Sequence, residues 1–473
     1  MISPRDLSLD DEFNLYANQL TQYFSPEHLH DLAKKCGFVL RDGKLKPHDF
    51  VSLCAFLNNH IAENSLTQLC STLDANRNVS LSTEGLNQRF NSEAVKFLQA
   101  VFASLMHQKQ QNTVGIPTMY NLDFHRIRIL DSTAFRLFYE EKKLAGPFGS
   151  GVKIQLEYEW LTGQFLHLAV QSSIENDAAY NKTVLDTIQP NDLILKDLGY
   201  FSAHDLLQIH EKNAYYLSRL RSTAVIYVKN EKETHFKNGK VVIGSQFKRI
   251  DLKKLMDEME VGETRELNDV FVGGDKLLQP RVILYKHSKE VAQKRLRAKE
   301  KKAKKNGMTQ SHRAKALTAL NTYITNIPQD RVSKTAIHGI YSLRWQIEIL
   351  FKTWKSLFKI HEVKKIKTER LQCHIYGTLI SLLLSSSITF RMRKLLLRRS
   401  KQEVSEYKSI GIVREYLFQI QSSLLDGTLY LKELLKKMFK MIKKNGRKSH
   451  RYKKMTVFDI LGVIYERNEK KAA

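Results

Sequence analysis

The run Tyr341-Ser342-Leu343-Arg344-Trp345-Gln346-Ile347-Glu348-Ile349-Leu350-Phe351-Lys352-Thr353-Trp354-Lys355 decides how this chain is read. Its members Tyr341, Arg344, Glu348 and Lys355 stand at offsets 0, 3, 7 and 14. On an α-helix these four fall within an arc of about 60° and extend over about 21 Å of one face. One acid, two cations and a phenol in such a line suit a polyanion threading past a carboxylate. Leu343, Ile347, Leu350, Phe351, Trp354, Leu357 and Phe358 fall in an adjoining arc of about 120°, the apolar stripe of the same helix. Glu348 therefore stands at the border between core and water. An Arg–Glu pair four residues apart also decorates ordinary exposed helices, so the meaning of this helix depends on the rest of the chain.

Two acids upstream supply that context. Arg126-Ile127-Arg128-Ile129-Leu130-Asp131 alternates, so Asp131 follows two core residues at the end of a strand. Leu193-Ile194-Leu195-Lys196-Asp197 repeats the device, and Gly199 permits the exit turn. Strands over 151–160, 164–173 and 214–220 and a helix near 203–212 complete an α/β pattern. Two strand-terminal aspartates and one helical glutamate are the parts of a two-metal phosphoryl-transfer site. Carboxylates are hard oxygen ligands for two Mg²⁺ ions, with Mn²⁺ as a substitute. Such ions activate a water or 3′-hydroxyl nucleophile and stabilise the leaving oxygen. They also cancel the repulsion that would otherwise protonate neighbouring carboxylates.

The bulk properties agree. A chain of 473 residues with 42% hydrophobic residues folds around a substantial core. Its 76 Lys and Arg outnumber 49 Asp and Glu, and a net charge of +27 points to a polyanionic partner. The longest weakly polar run, Ile375 to Phe390, is interrupted by four serines and reads as a buried helix, so no membrane partner is expected. Cys36, Cys54, Cys70 and Cys373 form no CxxC pair or zinc pattern. Together with a polar Met1–Asp11, they indicate a reduced cytoplasmic protein.

Along the chain, 1–115 reads as a helical DNA-binding domain. Within it Ser65–Phe90 resembles a helix-turn-helix pair, with Asn87, Gln88 and Arg89 able to hydrogen-bond base edges. A plain helical bundle would give the same pattern. A catalytic core follows over 116–221 and 287–366, interrupted by a separate β-rich insertion over 222–286. Asn238-Gly239 marks a hairpin turn there, between Val225–Val228 and Val241–Ile243. Lys286 to Lys315 carries twelve Lys or Arg against Glu290 and Glu300, and reads as a basic helix at least to Gly307. Residues 367–473 form a helical, basic C-terminal region.

Tyr341-x2-Arg344-x3-Glu348-x6-Lys355 resembles the YREK signature of the insertion-sequence-four family of bacterial DDE transposases. The order Asp131-Ser132-Thr133, Asp197-x-Gly199-Tyr200-Phe201 and this helix is similar to that family over roughly 120–366. The length and layout resemble its insertion sequence 231 branch. The gap from Asp197 to Glu348 is 151 residues, against 66 from Asp131 to Asp197. It looks like the β-strand insertion that these enzymes carry in a ribonuclease H-like mixed sheet.

The resemblance implies an α/β core of that type between all-α terminal regions, and cut-and-paste transposition of an insertion sequence. Asp131, Asp197 and Glu348 would ligate the metals, while Tyr341, Arg344 and Lys355 would grip phosphates around the scissile bond. Double-stranded DNA, as terminal inverted repeats and as target, is the implied partner, bound by a homodimer in a paired-end complex at the bacterial nucleoid. Relatives form a hairpin at the DNA end and flip a base onto an aromatic in the insertion. Here the tryptophans are Trp160, Trp345 and Trp354, all outside it, leaving Tyr227, Phe236, Phe247 or Phe271 for that task. Two rivals remain at this level. One is a ribonuclease H-like nuclease that cuts without joining; the other is a DNA-binding protein derived from a transposase with its catalytic site unused.

Overall fold

The computed structural model describes residues 7–466 apart from 42, 58–60, 109–123, 138–147, 176–179, 181–182, 222–223, 233, 239, 241, 243–244, 274–277, 306, 308, 310–311 and 450–454. Its central strand is β1 (Arg126–Arg136), flanked by antiparallel β2 (Gly151–Glu159) and parallel β4 (Asp192–Lys196). β3 (Gln164–Ser172) lies outside β2, and β5 (Tyr215–Arg219) runs parallel to β4. Beyond β5 come β11 (Leu320–Thr325), β10 (Arg281–Lys286) and β8 (Thr264–Leu267), each antiparallel to its neighbour. The eight-stranded sheet thus has the order β3-β2-β1-β4-β5-β11-β10-β8.

Two expectations change here. Asp131 does not end its strand. β1 continues to Arg136 because β2 pairs with it as far as Gly151. It is the parallel partner β4 that stops, its last pair being Lys196 with Leu130. Asp131 and Asp197 therefore follow neighbouring positions of two adjacent strands. Nor is the stretch 222–286 wholly separate. Its strands β8 and β10 extend the main sheet, while β6 (Ile226–Lys229), β7 (Phe247–Arg249) and β9 (Val270–Val272) form a sheet of three. Val282, Ile283 and Leu284 of β10 are consecutive and all buried, the pattern of a strand covered on both faces. At the expected hairpin the Phe236 amide donates to the Lys240 carbonyl at 2.8 Å. Gly239, Val241 and Ile243 lie outside the described residues.

The two faces of the sheet are packed differently. Ile127, Ile129, Leu193 and Leu195 join the larger core with Ile347, Leu350 and Trp354. Ile194, Tyr216 and Ile324 join a second core with Leu206 and Ile209 of helix α7 (Ala203–Glu211). Arg128, one residue from Ile127, points away from the larger core. It is fully buried, donates to Glu157 at 2.8 and 2.7 Å, and reaches Asp192 at 3.0 Å.

Helices from both ends of the chain build one body. The N-terminal set is α1 (Leu9–Phe24), α2 (Pro26–Lys35), α3 (Pro47–Val51, continued by a π-helical turn over Ser52–Phe56), α4 (Leu66–Arg77), α5 (Thr83–Arg89) and α6 (Ser92–Gln108). Between these and the C-terminus come α8 (Leu252–Glu258), α9 (Lys289–Lys305), α10 (His312–Ala316), α11 (Lys334–Ser342) and α12 (Trp345–Ser356). The last set is α13 (Thr368–Ser400), α14 (Glu406–Glu415), α15 (Leu417–Asp426), α16 (Thr428–Asn445) and α17 (Val457–Ile460).

α13 packs against α6 and the π-helical turn, and α1 packs against α16. Tyr16 donates to Ser387 at 2.9 Å, Arg370 donates to the Ile61 carbonyl at 2.8 Å, and Phe13 meets Phe439 edge-on at 5.6 Å. Gly377 lies against the Cys54 carbonyl so closely that a Cβ would overlap it. Among the described residues α13 is long and apolar enough to cross a membrane, but 89% of its apolar window is buried inside the protein. That matches the expectation of a core helix.

Candidate active site

The expected single helix through residues 341–355 is two helices. α11 ends at Ser342 and α12 begins at Trp345. Leu343 and Arg344 keep right-handed angles, at φ −58°, ψ −25° and φ −53°, ψ −32°. Their amides, however, donate three residues back, to Ile340 at 3.0 Å and Tyr341 at 3.1 Å. The helix tightens to 3₁₀ geometry for one turn. Leu343 and Arg344 are both buried at this turn, one in the core and the other among acids.

Arg344 gathers the three acids. Its Nη1 donates to Asp131 Oδ2 at 2.9 Å and its Nη2 to Glu348 Oε1 at 2.7 Å, while Nε stands 3.6 Å from Asp197 Oδ1. β1, the end of β4 and the first turn of α12 each contribute one carboxylate. α12 covers the sheet face that carries Ile127, Ile129 and Asp131, which brings Glu348 over the strand ends. The Ser132 amide donates to Asp131 Oδ1 at 2.8 Å. Burial pushes the Asp131 carboxyl up to about 6; the Ser132 amide and Arg344 oppose this, and Asp197 and Glu348 add to it. For Arg344, burial favours the neutral form, but Asp197 leads a set of neighbours that outweighs it and raises the guanidinium's affinity for its proton.

The other two members of the line differ from each other. Tyr341 is buried, and its hydroxyl faces Asp197 Oδ1 at 3.4 Å rather than open solvent. Burial, seconded by the Asp197 charge, raises its proton affinity. Lys355 is half-buried and donates to the Ala134 carbonyl of β1 at 3.1 Å, and burial lowers its proton affinity. A groove of about 810 Å³ joins Asp131, Asp197, Arg344 and Glu348 to Lys352 and Lys355. Ser132, the neighbour of Asp131 in the sequence motif, also lines it, as do His361 and Glu362, which sequence spacing did not single out. His361 and Glu362 follow the left-handed Lys359, at φ +52°, past the end of α12, where helical periodicity no longer predicts position.

Asn87, Gln88 and Arg89 are brought elsewhere, onto α5, and none lines this groove. Gln88 and Arg89 are exposed, and Asn87 is half-buried with its carbonyl accepting from Lys367 at 2.9 Å. α4 and α5 form a short helix pair, joined through a left-handed Asn78. Of the aromatics in the insertion, Phe236 is well exposed, whereas Phe247 and Phe271 pack edge-on at 5.0 Å.

Three carboxylates are a donor set suited to a hard divalent cation. Burial leads the rise at Asp131 and the two neighbouring carboxylates add to it, and a bound cation would offset both. Among the described residues no group of three or more His, Cys, Asp or Glu is closed up for direct coordination, and Arg344 stands among the acids.

Comparison with known proteins gives the family of the chain. Residues 122–384 match the transposase DDE domain family. The chain is 43% identical to the transposase for insertion sequence element IS231E of Bacillus thuringiensis subsp. finitimus, over 98% of each protein. It is 42% identical to that for IS231B of Bacillus thuringiensis subsp. berliner, over 99% of this chain and 100% of the relative. It is 34% identical to that for IS1151 of Clostridium perfringens, over 95% of this chain and 96% of the relative. Among solved structures, piggyBac transposase in a synaptic complex with hairpin DNA aligns over 92% of this chain and 86% of that one, at 12% identity and a TM-score of 0.46. That likeness is too loose to carry an argument.

Proposed function

The chain belongs to the DDE transposase family and acts in DNA transposition, and from that premise we propose how its residues divide the work. Asp131, Asp197 and Glu348 hold the divalent metal on which DDE transposases depend, as two Mg²⁺ ions that Mn²⁺ can replace. The observation that carries this reading is their convergence on one guanidinium from three separate elements. Bound there, the ions would supply Lewis-acid activation of the attacking oxygen and stabilise the leaving one.

The remaining roles belong to neighbouring side chains. Lys355, anchored to β1, presents an ammonium to a backbone phosphate in the groove. Arg344 offers a planar fork to a phosphate near the scissile bond. Tyr341 orients Asp197 from the buried side. The β3-β2-β1-β4-β5 order, with β1, β4 and β5 parallel, supports a ribonuclease H-like core, and the Tyr341-x2-Arg344-x3-Glu348-x6-Lys355 spacing supports the insertion-sequence-four assignment.

The substrate is double-stranded DNA bearing the terminal inverted repeats of the element, cleaved and joined through free 3′-hydroxyls to target DNA by cut-and-paste. Gln88 and Arg89, exposed on α5, would read those ends through base-edge hydrogen bonds. Two protomers pair the two ends, in the bacterial cytoplasm where the DNA lies. Replacing Glu348 with Ala is expected to abolish cleavage of end-bearing duplexes while leaving their binding within a few-fold. Loss of binding together with cleavage would make Glu348 a structural residue instead.

A further inference from the structure

Arg344 occupies the place where the three acids meet. It is 7% exposed, and the rings of Tyr341 and Trp345 stand 6.0 and 5.7 Å from its Cζ. Its two terminal nitrogens are spent on Asp131 and Glu348, yet its buried Nε has no hydrogen-bond partner, since Asp197 is 3.6 Å away. The guanidinium thus offsets part of the acids' charge without saturating its own donors.

Resting on the reading of these acids as metal ligands, we propose that Arg344 is a displaceable internal counter-ion. It holds the acids in the metal-free protein and leaves them when a DNA phosphate takes its fork, so that metal and DNA load together. Charge balance requires this coupling. Three carboxylates and one guanidinium leave two negative charges; two divalent ions would turn these into two positive ones. Cations crowded in a half-buried site repel strongly, so the full metal complement and the guanidinium share the acids poorly without an added anion. A phosphodiester supplies that anion and accepts the same pair of N–H groups that now bind Asp131 and Glu348. The space for it is adjacent, since the groove beside Arg344 continues past Lys352 and Lys355. Metal and DNA should therefore strengthen each other's binding by the same factor.

Mn²⁺ binding to the full chain, read from the free-ion electron paramagnetic resonance signal, tests this without any turnover. The DNA probe is a duplex carrying the sequence that flanks the reading frame. The native chain should bind Mn²⁺ weakly alone and at least about tenfold more tightly with the duplex, the equivalent of one charge-assisted contact. Arg344→Gln should bind Mn²⁺ tightly without DNA, and the duplex should add little. Arg344→Lys, which keeps the charge but not the fork and is the gentler change for folding, should fall between them. Equal Mn²⁺ affinity in native and Arg344→Gln chains without DNA would overturn the proposal. If no folded variant binds Mn²⁺ under any condition, the assignment of the acids as ligands fails first, and this inference with it.

Discussion

Arg128 and Glu157 face each other inside the sheet with neither side chain exposed, joined by two parallel N–H···O bonds of 2.8 and 2.7 Å. The pair ties β1 to β2, and through Asp192 it reaches the start of β4. Replacing Arg128 with Met would strand the buried Glu157 carboxylate, whereas Asp192 would keep its pair with Arg126. Loss of one partner from such a pair costs about 3–5 kcal/mol. Urea denaturation should show a matching drop in stability, although Arg128 lies outside the groove.

Gly377 is expected to tolerate no side chain. A methyl group there meets the Cys54 backbone, which cannot rotate away as a flexible side chain could. Gly377→Ala should destabilise by about 1–3 kcal/mol, the usual cost of overpacking. Gly339→Ala on α11 is the contrast, because its added methyl would meet only ordinary contact with Ile460 at 3.7 Å. Gaining up to about 1 kcal/mol of helix propensity, it should be neutral or stabilising by the same measurement.

Acid sensitivity has a local source. Burial, followed by Arg295 and His338, pushes the His287 imidazole down to about 4. It is therefore neutral in the folded chain, while the unfolded chain takes up a proton near the ordinary value of about 6.5. The resulting stability is whole above that value and is lost as pH falls from it toward 4. Melting temperatures at pH 7.5 and 5.5 should differ less for His287→Gln than for the native chain.

α9 should be read through its salt dependence. Lys294, Arg297 and Lys301 are exposed on it. If they contact phosphates, changing all three to Gln should reduce the slope of log affinity against log salt by up to about three, at about 0.9 per contact. An unchanged slope would place DNA elsewhere.

Much of the site was legible because its parts obey local periodicities. Asp131 shares strand parity with Ile127 and Ile129, and Glu348 borders the stripe formed by Ile347, Leu350 and Trp354. What escaped depends on distant partners. Asp131 looked strand-terminal because the sequence of β1 does not say where β4 stops. The break at Leu343–Arg344 has no proline or glycine to announce it. Arg344 reads as a phosphate-gripping cation or as half of an i,i+4 surface pair, and neither reading contains its contact with Asp131, 213 positions away. Val282–Leu284 reads as a strand, but nothing local says which of two sheets it joins.

The packing of α1 against α16 bears on how the protein is made. Phe13 is completed by Phe439, and Asp10 by Lys432 at 3.1 Å, so α1 leaves the ribosome long before the helix that covers it. Until synthesis has passed that point, the N-terminal helices lack part of their core. A gene copy cut short before codon 428 would then yield an incompletely packed chain, ill suited to compete with the intact enzyme for the ends of the element.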